Sequence, residues 1–189
     1  FVGDAGDGGE LAGRKRGRDR DLSHRRRIAG RRRTIHRTQR IERLLTIIDS
    51  LREEARLAAE RDPVLAAFLY STVINYHSLE ECVIHRICER LDHPDMQANL
   101  LRQTFEEMLS DWPEWSSILR VDIQAIYDRD PACLRFMEAV LYFKGFHALQ
   151  THRLAHWLLN RGRRDFALYL QSRSSSVFQT DINPAARIG

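Results

Sequence analysis

The stretch IERLLTIIDSLREEARLAAERDP, residues 41–63, decides the fold class. Its apolar residues recur at spacings of three and four, which places them on one stripe of an α-helix. These residues are Ile41, Leu44, Leu45, Ile48, Leu51, Ala55 and Ala58. Pro63 cannot continue the helix and disfavours the helical conformation at Asp62, so we expect the helix to stop there.

The same helical period continues through the next four segments, and prolines lie at most of the boundaries between them. Asp62 can cap a second helix, and Ser78-Leu79-Glu80-Glu81 is a capping-box sequence for a third. His93-Pro94 and Trp112-Pro113 bound a fourth helix, and a fifth is predicted from residue 114 to residue 127. The predicted buried positions include Val64, Leu65, Phe68, Leu69, Thr72, Val73, Tyr76, Val83, Ile87, Leu91, Met96, Leu100, Leu101, Phe105, Met108, Trp115, Ile118, Val121, Ile123 and Ile126.

After Asp130-Pro131 the pattern predicts one longer helix, with small residues on its inner face. That face consists of Leu141, Gly145, Ala148, Leu149, His152, Ala155 and Leu159. Gly145 and Ala148 would let another backbone approach closely. Gly162 is predicted to end this helix in the left-handed conformation, and a last helix is predicted from Phe166 to about Arg173.

The final residues TDINPAARIG, 180–189, follow a different pattern. Ile182 and Ile188 are six apart, with small residues between them, which is the period of a hexapeptide left-handed β-helix. The prediction is therefore an all-α fold, a helical bundle that leads into the first turn of a left-handed parallel β-helix. We assign residues 1–35 to a basic flexible tail, 36–176 to the helical domain and 177–189 to the start of the β-helix.

Charge divides the chain into a basic tail and a mildly acidic body. Residues 1–40 hold 13 Lys and Arg against 5 Asp and Glu, whereas residues 41–189 hold 17 against 21. Arginine runs can bind phosphates, but Phe1 is the only aromatic residue before Phe68, so base stacking is not supported. A nucleic-acid-binding tail on a helical interaction module therefore remains the alternative interpretation. Because the chain begins with Phe1 rather than Met, whether the tail is native also stays open.

The sequence argues against a membrane protein and against a disulfide scaffold. The longest apolar run, residues 64–70, has seven members, far short of the ~20 that a membrane span needs. No hydrophobic segment follows the basic start, as a secretory signal would require. The three cysteines, Cys82, Cys88 and Cys133, favour reduced thiols in a cytoplasmic protein.

Several motifs together resemble serine O-acetyltransferase. The resemblance runs from about residue 41 to residue 189 and is most specific from residue 120 onward. The motifs are DIQA at 122–125, RDPA at 129–132, LYFKGFHALQ at 141–150, HW at 156–157, NRGR at 160–163 and DINPAARIG at 181–189, with EEAR at 53–56 and PVL at 63–65 as looser matches.

The resemblance implies an acyltransferase of cysteine biosynthesis. Such enzymes transfer acetyl from acetyl-CoA to the hydroxyl of L-serine, and a helical domain precedes their β-helix. Their helical domains join two trimers into a hexamer, and many of them bind cysteine synthase through a C-terminal tail. Acetyl-CoA is a co-substrate that binds on the β-helix, so we expect no cofactor to be bound by residues 1–189 alone. Another hexapeptide acyltransferase, acting on a sugar or a different amine, is a rival, but the helical half of the resemblance disfavours it.

The resemblance also assigns roles to two aspartates. Asp181 corresponds to the carboxylate that holds the catalytic histidine, and Asp130 to the residue that receives the serine substrate. The histidine of the family lies further along the β-helix, so residues 1–189 alone are expected to be inactive. From the residues alone, Asp130 is a plain helix cap and Asp181 the start of a turn before Pro184.

His152 and His156 are four residues apart, the spacing of a zinc pair on a helix. The run His-Arg-Leu-Ala-His lacks the glutamate of a metalloprotease helix, and no cysteine lies near it in sequence. We therefore expect these histidines to pack and to form hydrogen bonds, and we expect no metal site.

Overall fold

Eight α-helices make up most of the computed structural model, which describes residues 47–188. Between those residues it contains no β-strand, and the prediction of an all-α body is confirmed. The helices are α1 Ile47–Arg61, α2 Ala66–Leu69, α3 Leu79–Leu91, α4 Ala98–Asp111, α5 Trp115–Arg129, α6 Phe136–Tyr142, α7 Lys144–Asn160 and α8 Arg164–Phe178. A 3-10 helix, Pro63–Leu65, precedes α2, and a π-helix, Tyr70–Ile74, follows it.

Some predictions fall outside the described residues. These are the basic tail of residues 1–35, the helical positions Ile41, Leu44 and Leu45, and Gly189. Residues 179–188 follow α8 without further helix. Their assignment to the first turn of a β-helix stays a prediction, as do the domain boundaries. None of the helices between residues 47 and 188 has the length and apolar character needed to cross a membrane.

The capping signals in the sequence form as predicted. The Asp62 carboxylate accepts a hydrogen bond from the Val64 backbone N–H, 3.2 Å away. At the start of α3, the Ser78 hydroxyl accepts from the Glu81 N–H at 3.1 Å, and the Glu81 carboxylate accepts from the Ser78 N–H at 3.3 Å. Gly162 has φ 76° at the end of α7, a conformation that glycine adopts without the steric cost other residues incur. These caps fix where the helices begin and end.

One apolar core unites the helices. Leu51 of α1, Phe105 of α4 and Trp115 of α5 are all fully buried in it. Each such side chain contributes about 1.5–3 kcal/mol relative to exposure. The most extensive helix pair is α7 with α8, and α1 packs against α6.

Four positions that were predicted to be buried in the first five helices are exposed instead. Val64 is 87% exposed, and Leu65, Leu100 and Val121 also lie at the surface. In the second segment the backbone passes from 3-10 to α to π geometry, so the number of residues per turn changes twice within twelve residues. A constant period of 3.6 residues per turn therefore predicts the wrong orientation for Val64 and Leu65. Leu69, Thr72 and Val73 of the same segment are buried as predicted.

The long helix predicted after Pro131 is two helices. Phe143 adopts an extended conformation, φ −77° and ψ 106°, and separates α6 from α7. Gly145, predicted to allow a close backbone approach, is exposed, and no described atom outside the local helix lies within 4 Å of the position that a Cβ would occupy. The expectation of a close approach at Gly145 is thus wrong within this chain.

The last helix does not end near Arg173, as predicted, but continues to Phe178. The serines at 174–176 are accommodated in the helix, and the Ser176 hydroxyl donates to the Ser172 carbonyl one turn earlier. Gln179 then ends α8 in the left-handed conformation, with φ 59°.

Candidate functional site

Asp130 occupies the C-terminal end of α5, where it shapes the turn into Pro131. Its carboxylate accepts a hydrogen bond from the Ala132 N–H at 2.9 Å, and its carbonyl accepts from the Cys133 N–H at 3.0 Å. The side chain is exposed. Among residues 47–188, no cation lies at ion-pair distance from this carboxylate. Asp130 thus does not cap the start of a helix, as its sequence context predicts, because the next helix, α6, begins only at Phe136. It forms a turn instead, and its carboxylate keeps a negative charge that no cation among residues 47–188 pairs.

An open depression of about 540 Å³ lies beside Asp130. It is lined by Asp122, Ala125, Ile126, Arg129, Asp130, Pro131 and Leu149. Its wall combines two carboxylates and one guanidinium with an aliphatic floor. Such a surface can accept a small molecule that carries both an ammonium and a carboxylate group.

The second carboxylate of the depression is already paired with a cation. Arg153, which is only 5% exposed, donates through Nη1 to Asp122 Oδ2 and through Nη2 to Asp122 Oδ1, the latter at 3.2 Å. Gln150 Nε2 donates to Asp122 Oδ2 at 2.8 Å, and Trp115 Nε1 donates to Gln150 Oε1 at 3.1 Å. This network fixes α5 against α7. It leaves Asp130 as the carboxylate available to a cationic ligand among the described residues of the depression.

Asp181 lies just after the end of α8 and is exposed. Its Oδ1 accepts a hydrogen bond of 2.7 Å from Nε2 of Gln171, a half-buried residue of α8. Two residues earlier, Gln179 Oε1 accepts from Lys144 Nζ at 3.0 Å. Hydrogen bonds from α7 and α8 therefore hold residues 179–181, the segment that follows α8.

The residues after Asp181 fold into a local turn. Asn183 Oδ1 accepts from the Ala185 N–H at 2.8 Å, and the Asn183 carbonyl accepts from the Ala186 N–H at 2.9 Å. Pro184 is buried, and its carbonyl lies 2.7 Å from His156 Nδ1. Since a carbonyl can only accept, Nδ1 of His156 carries the proton and donates it.

His152 lies one turn before His156 on α7, and the two ring centroids are 5.9 Å apart. Burial lowers the pKa of His152, and the neighbouring His156 lowers it further, against a hydrogen bond with the Ala186 backbone. Its Nδ1 is buried and makes no hydrogen bond with the described residues. No group of three or more His, Cys, Asp or Glu residues able to hold a metal ion occurs in the part of the chain that the structure describes.

The two aspartates singled out by the sequence are not brought together within residues 47–188. Asp130 borders the depression between α5 and α7, whereas Asp181 contacts α8. Helix α7 connects the two places through successive turns. Leu149 lines the depression, Arg153 pairs with Asp122, and His156 holds Pro184.

The sequence analysis missed Gln171 and Arg153 as members of this region, and it gave no role to Asp122, which begins the DIQA motif. Asp122 and Arg153 are 31 positions apart on different helices, so no spacing rule links them. Arg153 itself was an available signal, because it is a cation on a helix face of otherwise apolar and histidine residues. Nothing in the sequence singled out Gln171, because glutamine is common on amphipathic helices.

Comparison with known proteins gives one consistent result. The family described as "Serine acetyltransferase, N-terminal" matches residues 47–151. Serine acetyltransferase 2 of Arabidopsis thaliana is 46% identical over 143 residues, which cover 76% of this chain and 44% of that protein. The chain spans about half the length of the curated relatives it matches.

Solved structures agree with the sequence comparison. Serine acetyltransferase from Brucella abortus strain S19, in complex with coenzyme A, is 68% identical with a TM-score of 0.74, covering 75% of this chain and 57% of that one. Soybean serine acetyltransferase, complexed with serine, is 39% identical with a TM-score of 0.72, covering 75% and 58% of the two chains.

Proposed function

The chain belongs to the serine acetyltransferase family, and on that premise we propose that the full-length protein containing these residues transfers an acetyl group from acetyl-CoA to the hydroxyl of L-serine. The observation that carries the proposal is the 68% identity, over three quarters of the chain, with the Brucella enzyme whose structure contains coenzyme A. The product would be O-acetylserine, a precursor of cysteine.

The reaction requires a base, because the serine hydroxyl has a pKa far above neutrality. An imidazole can take that proton when a carboxylate holds it in one tautomer. The hydroxyl oxygen then attacks the thioester carbonyl carbon, the C–S bond breaks, and the leaving thiolate receives the proton from the imidazolium. We propose that Asp181 is the carboxylate of this pair. The family resemblance implies an imidazole further along the β-helix.

We propose that Asp130 receives the ammonium group of L-serine. Three features support this role: the carboxylate is exposed, it borders an open depression, and no cation among residues 47–188 pairs with it. An ammonium group donating to a carboxylate forms a charge-assisted hydrogen bond, which is about twice as strong as a neutral one. Asp122 is less suited, because Arg153 already neutralises it.

The cellular location, the oligomeric state and the protein partner are proposals from the family resemblance. We propose that the full-length protein acts in the cytoplasm, assembles as a dimer of trimers and binds cysteine synthase through its C-terminus. The exposed apolar residues support an assembly: Val64 is 87% exposed and Leu134 is 74% exposed. Burial of each in a subunit contact would contribute about 1–2 kcal/mol.

The direct test is an assay of the purified full-length protein for thiol release from acetyl-CoA, with O-acetylserine identified by mass spectrometry. We expect turnover that depends on L-serine. Residues 1–189 alone should give none, because the family's imidazole base is not among them. Thiol release without dependence on serine, or acetylation of a sugar in its place, would contradict the proposal.

A further inference from the structure

The exposed carboxylate of Asp181 is held in a different way from the buried and half-buried carboxylates that pair with arginine. Asp122 is paired with Arg153, and Glu80 is paired with Arg120. Asp181 instead accepts a hydrogen bond from a neutral amide, the side chain of Gln171, at 2.7 Å. A neutral donor orients a carboxylate without cancelling its charge.

The hydrogen bond from Gln171 reaches one carboxylate oxygen only. Oδ1 of Asp181 is occupied, and Oδ2 accepts no hydrogen bond from residues 47–188. A carboxylate that steadies an imidazole needs one oxygen directed at the ring and its full negative charge to stabilise the imidazolium. In the observed arrangement Oδ2 is left without a partner, and no cation pairs with the carboxylate, among residues 47–188.

The backbone after Asp181 is held as well. His156 Nδ1 donates to the Pro184 carbonyl at 2.7 Å, from the helix that packs most extensively against the helix of Gln171. The side chain and the backbone of the Asp181 segment are thus fixed by the two helices of one helical hairpin, α7 and α8.

We propose that Gln171 and His156 are positioning residues for the Asp181 carboxylate: Gln171 orients its side chain, and His156 fixes the backbone that follows it. This inference rests on the proposed function. It adds that the helical body sets the geometry of the acidic partner before any substrate binds. Effective catalysis depends on such preorganisation, since small displacements of a catalytic group cost large factors in rate.

The Gln171 arm is tested with Gln171→Met, a substitution close in size that removes the donor. In the full-length protein we expect kcat for serine acetylation to fall roughly tenfold, while the serine KM stays within about threefold. In an Asp181→Ala background the same substitution should change kcat by less than about twofold, because there is no carboxylate left to orient. A merely structural role would lower kcat by the same factor in both backgrounds.

The His156 arm is tested by rescue. In His156→Asn the amide nitrogen occupies the place of Nδ1 and can still donate to Pro184, whereas His156→Leu removes the donor. We expect kcat of the asparagine variant to lie within about threefold of the unchanged protein and that of the leucine variant to fall roughly tenfold. Ser176→Ala, which alters an exposed hydroxyl of α8, is the matched control and should leave kcat unchanged.

The outcomes separate this inference from the proposed function. Absence of serine-dependent turnover in the unchanged protein would overturn the proposed function, and this inference with it. Turnover that Gln171→Met leaves intact, or reduces equally with and without Asp181, would overturn the role of Gln171 alone. Equal kcat values for the asparagine and leucine variants of His156 would overturn the role of His156. Circular dichroism spectra and melting curves of every variant must match those of the unchanged protein.

Discussion

Arg153 of α7 and Asp122 of α5 form a buried ion pair, with 5% and 16% of their side chains exposed. Gln150 completes the hydrogen bonding of the carboxylate and links it to the Trp115 indole. Two helices that are far apart in sequence are thereby held in one relative position, next to the depression that contains Asp130.

Removing one partner of this pair should destabilise the fold strongly. Arg153→Met leaves the Asp122 charge in a largely buried place without its cation, so we expect the free energy of unfolding to fall by about 3–5 kcal/mol. The measurement is urea denaturation followed by circular dichroism. The double variant Asp122→Leu with Arg153→Met should lose less than the single one, because no charge remains uncompensated.

The exposed pair Arg56 and Glu53 is the control for that measurement, since half or more of each side chain is exposed. Glu53→Gln should change the free energy of unfolding by less than about 0.5 kcal/mol. If Arg153→Met costs no more than this control, the buried pair does not hold α5 against α7.

Sequence patterns predicted those parts of the fold that are determined by interactions between residues close together in the chain. The Asp62 cap, the Ser78–Glu81 capping box and the Gly162 helix end depend on neighbouring residues, so the sequence shows them directly. The exposure of Val64 was missed because the change from 3-10 to π geometry is not encoded in apolar spacing. The break at Phe143 was missed as well, since neither proline nor a glycine turn marks it.

The site was predictable to a lesser degree than the fold. Asp130 and Asp181 stood out because their motifs resemble a family, whereas the residues alone predicted a helix cap at Asp130, where the structure has a turn. The side-chain hydrogen bonds near these two aspartates join residues that are 10 to 31 positions apart, such as Gln171 with Asp181 and Arg153 with Asp122. Such pairings depend on how the helices pack against one another, and the spacing of apolar residues in the sequence does not reveal this.

Acid should destabilise the fold through His147 of α7. This histidine is fully buried, its Nε2 donates to the Val140 carbonyl at 2.7 Å, and its Nδ1 accepts from Arg90 at 2.9 Å. Burial first, and then the positive charges of Arg90 and Arg86, lower its pKa from 6.5 to about 4 against the opposing effect of the hydrogen bond to Val140. A second proton would also remove the acceptor that Arg90 uses.

The sign of the effect follows from linkage. The unfolded chain takes up the proton near pH 6.5 and the folded one only near pH 4, so the contribution of His147 is fully present above pH 6.5. It is lost progressively as the pH falls towards 4, to a total of about 3 kcal/mol. In His147→Gln this part of the pH dependence should disappear. His85 and His152, whose pKa values are also lowered by burial, should retain a smaller slope. An unchanged slope in the variant would contradict the assignment.

Asparagine at position 130 separates the two roles of that residue. Asp130→Asn keeps an oxygen that can accept from the Ala132 N–H, so the turn should survive, but it removes the negative charge. In the full-length protein we expect the serine KM to rise by about tenfold or more with little change in melting temperature.

Asp130→Ala is the companion to that variant. It removes the turn and the charge together and should lower stability by about 1 kcal/mol in addition to raising KM. A serine KM that is unchanged in Asp130→Asn would leave Asp130 as a turn-forming residue only.

In the proposed reaction Asp181 steadies the base that deprotonates serine. The most direct test of this role is the steady-state kcat of Asp181→Asn in the full-length protein, because asparagine preserves the size of the side chain and the acceptor for Gln171 while removing the charge. We predict that kcat falls by about 10²–10⁴-fold and that the serine KM stays within about threefold. A variant that keeps the kcat of the unchanged protein would contradict the account.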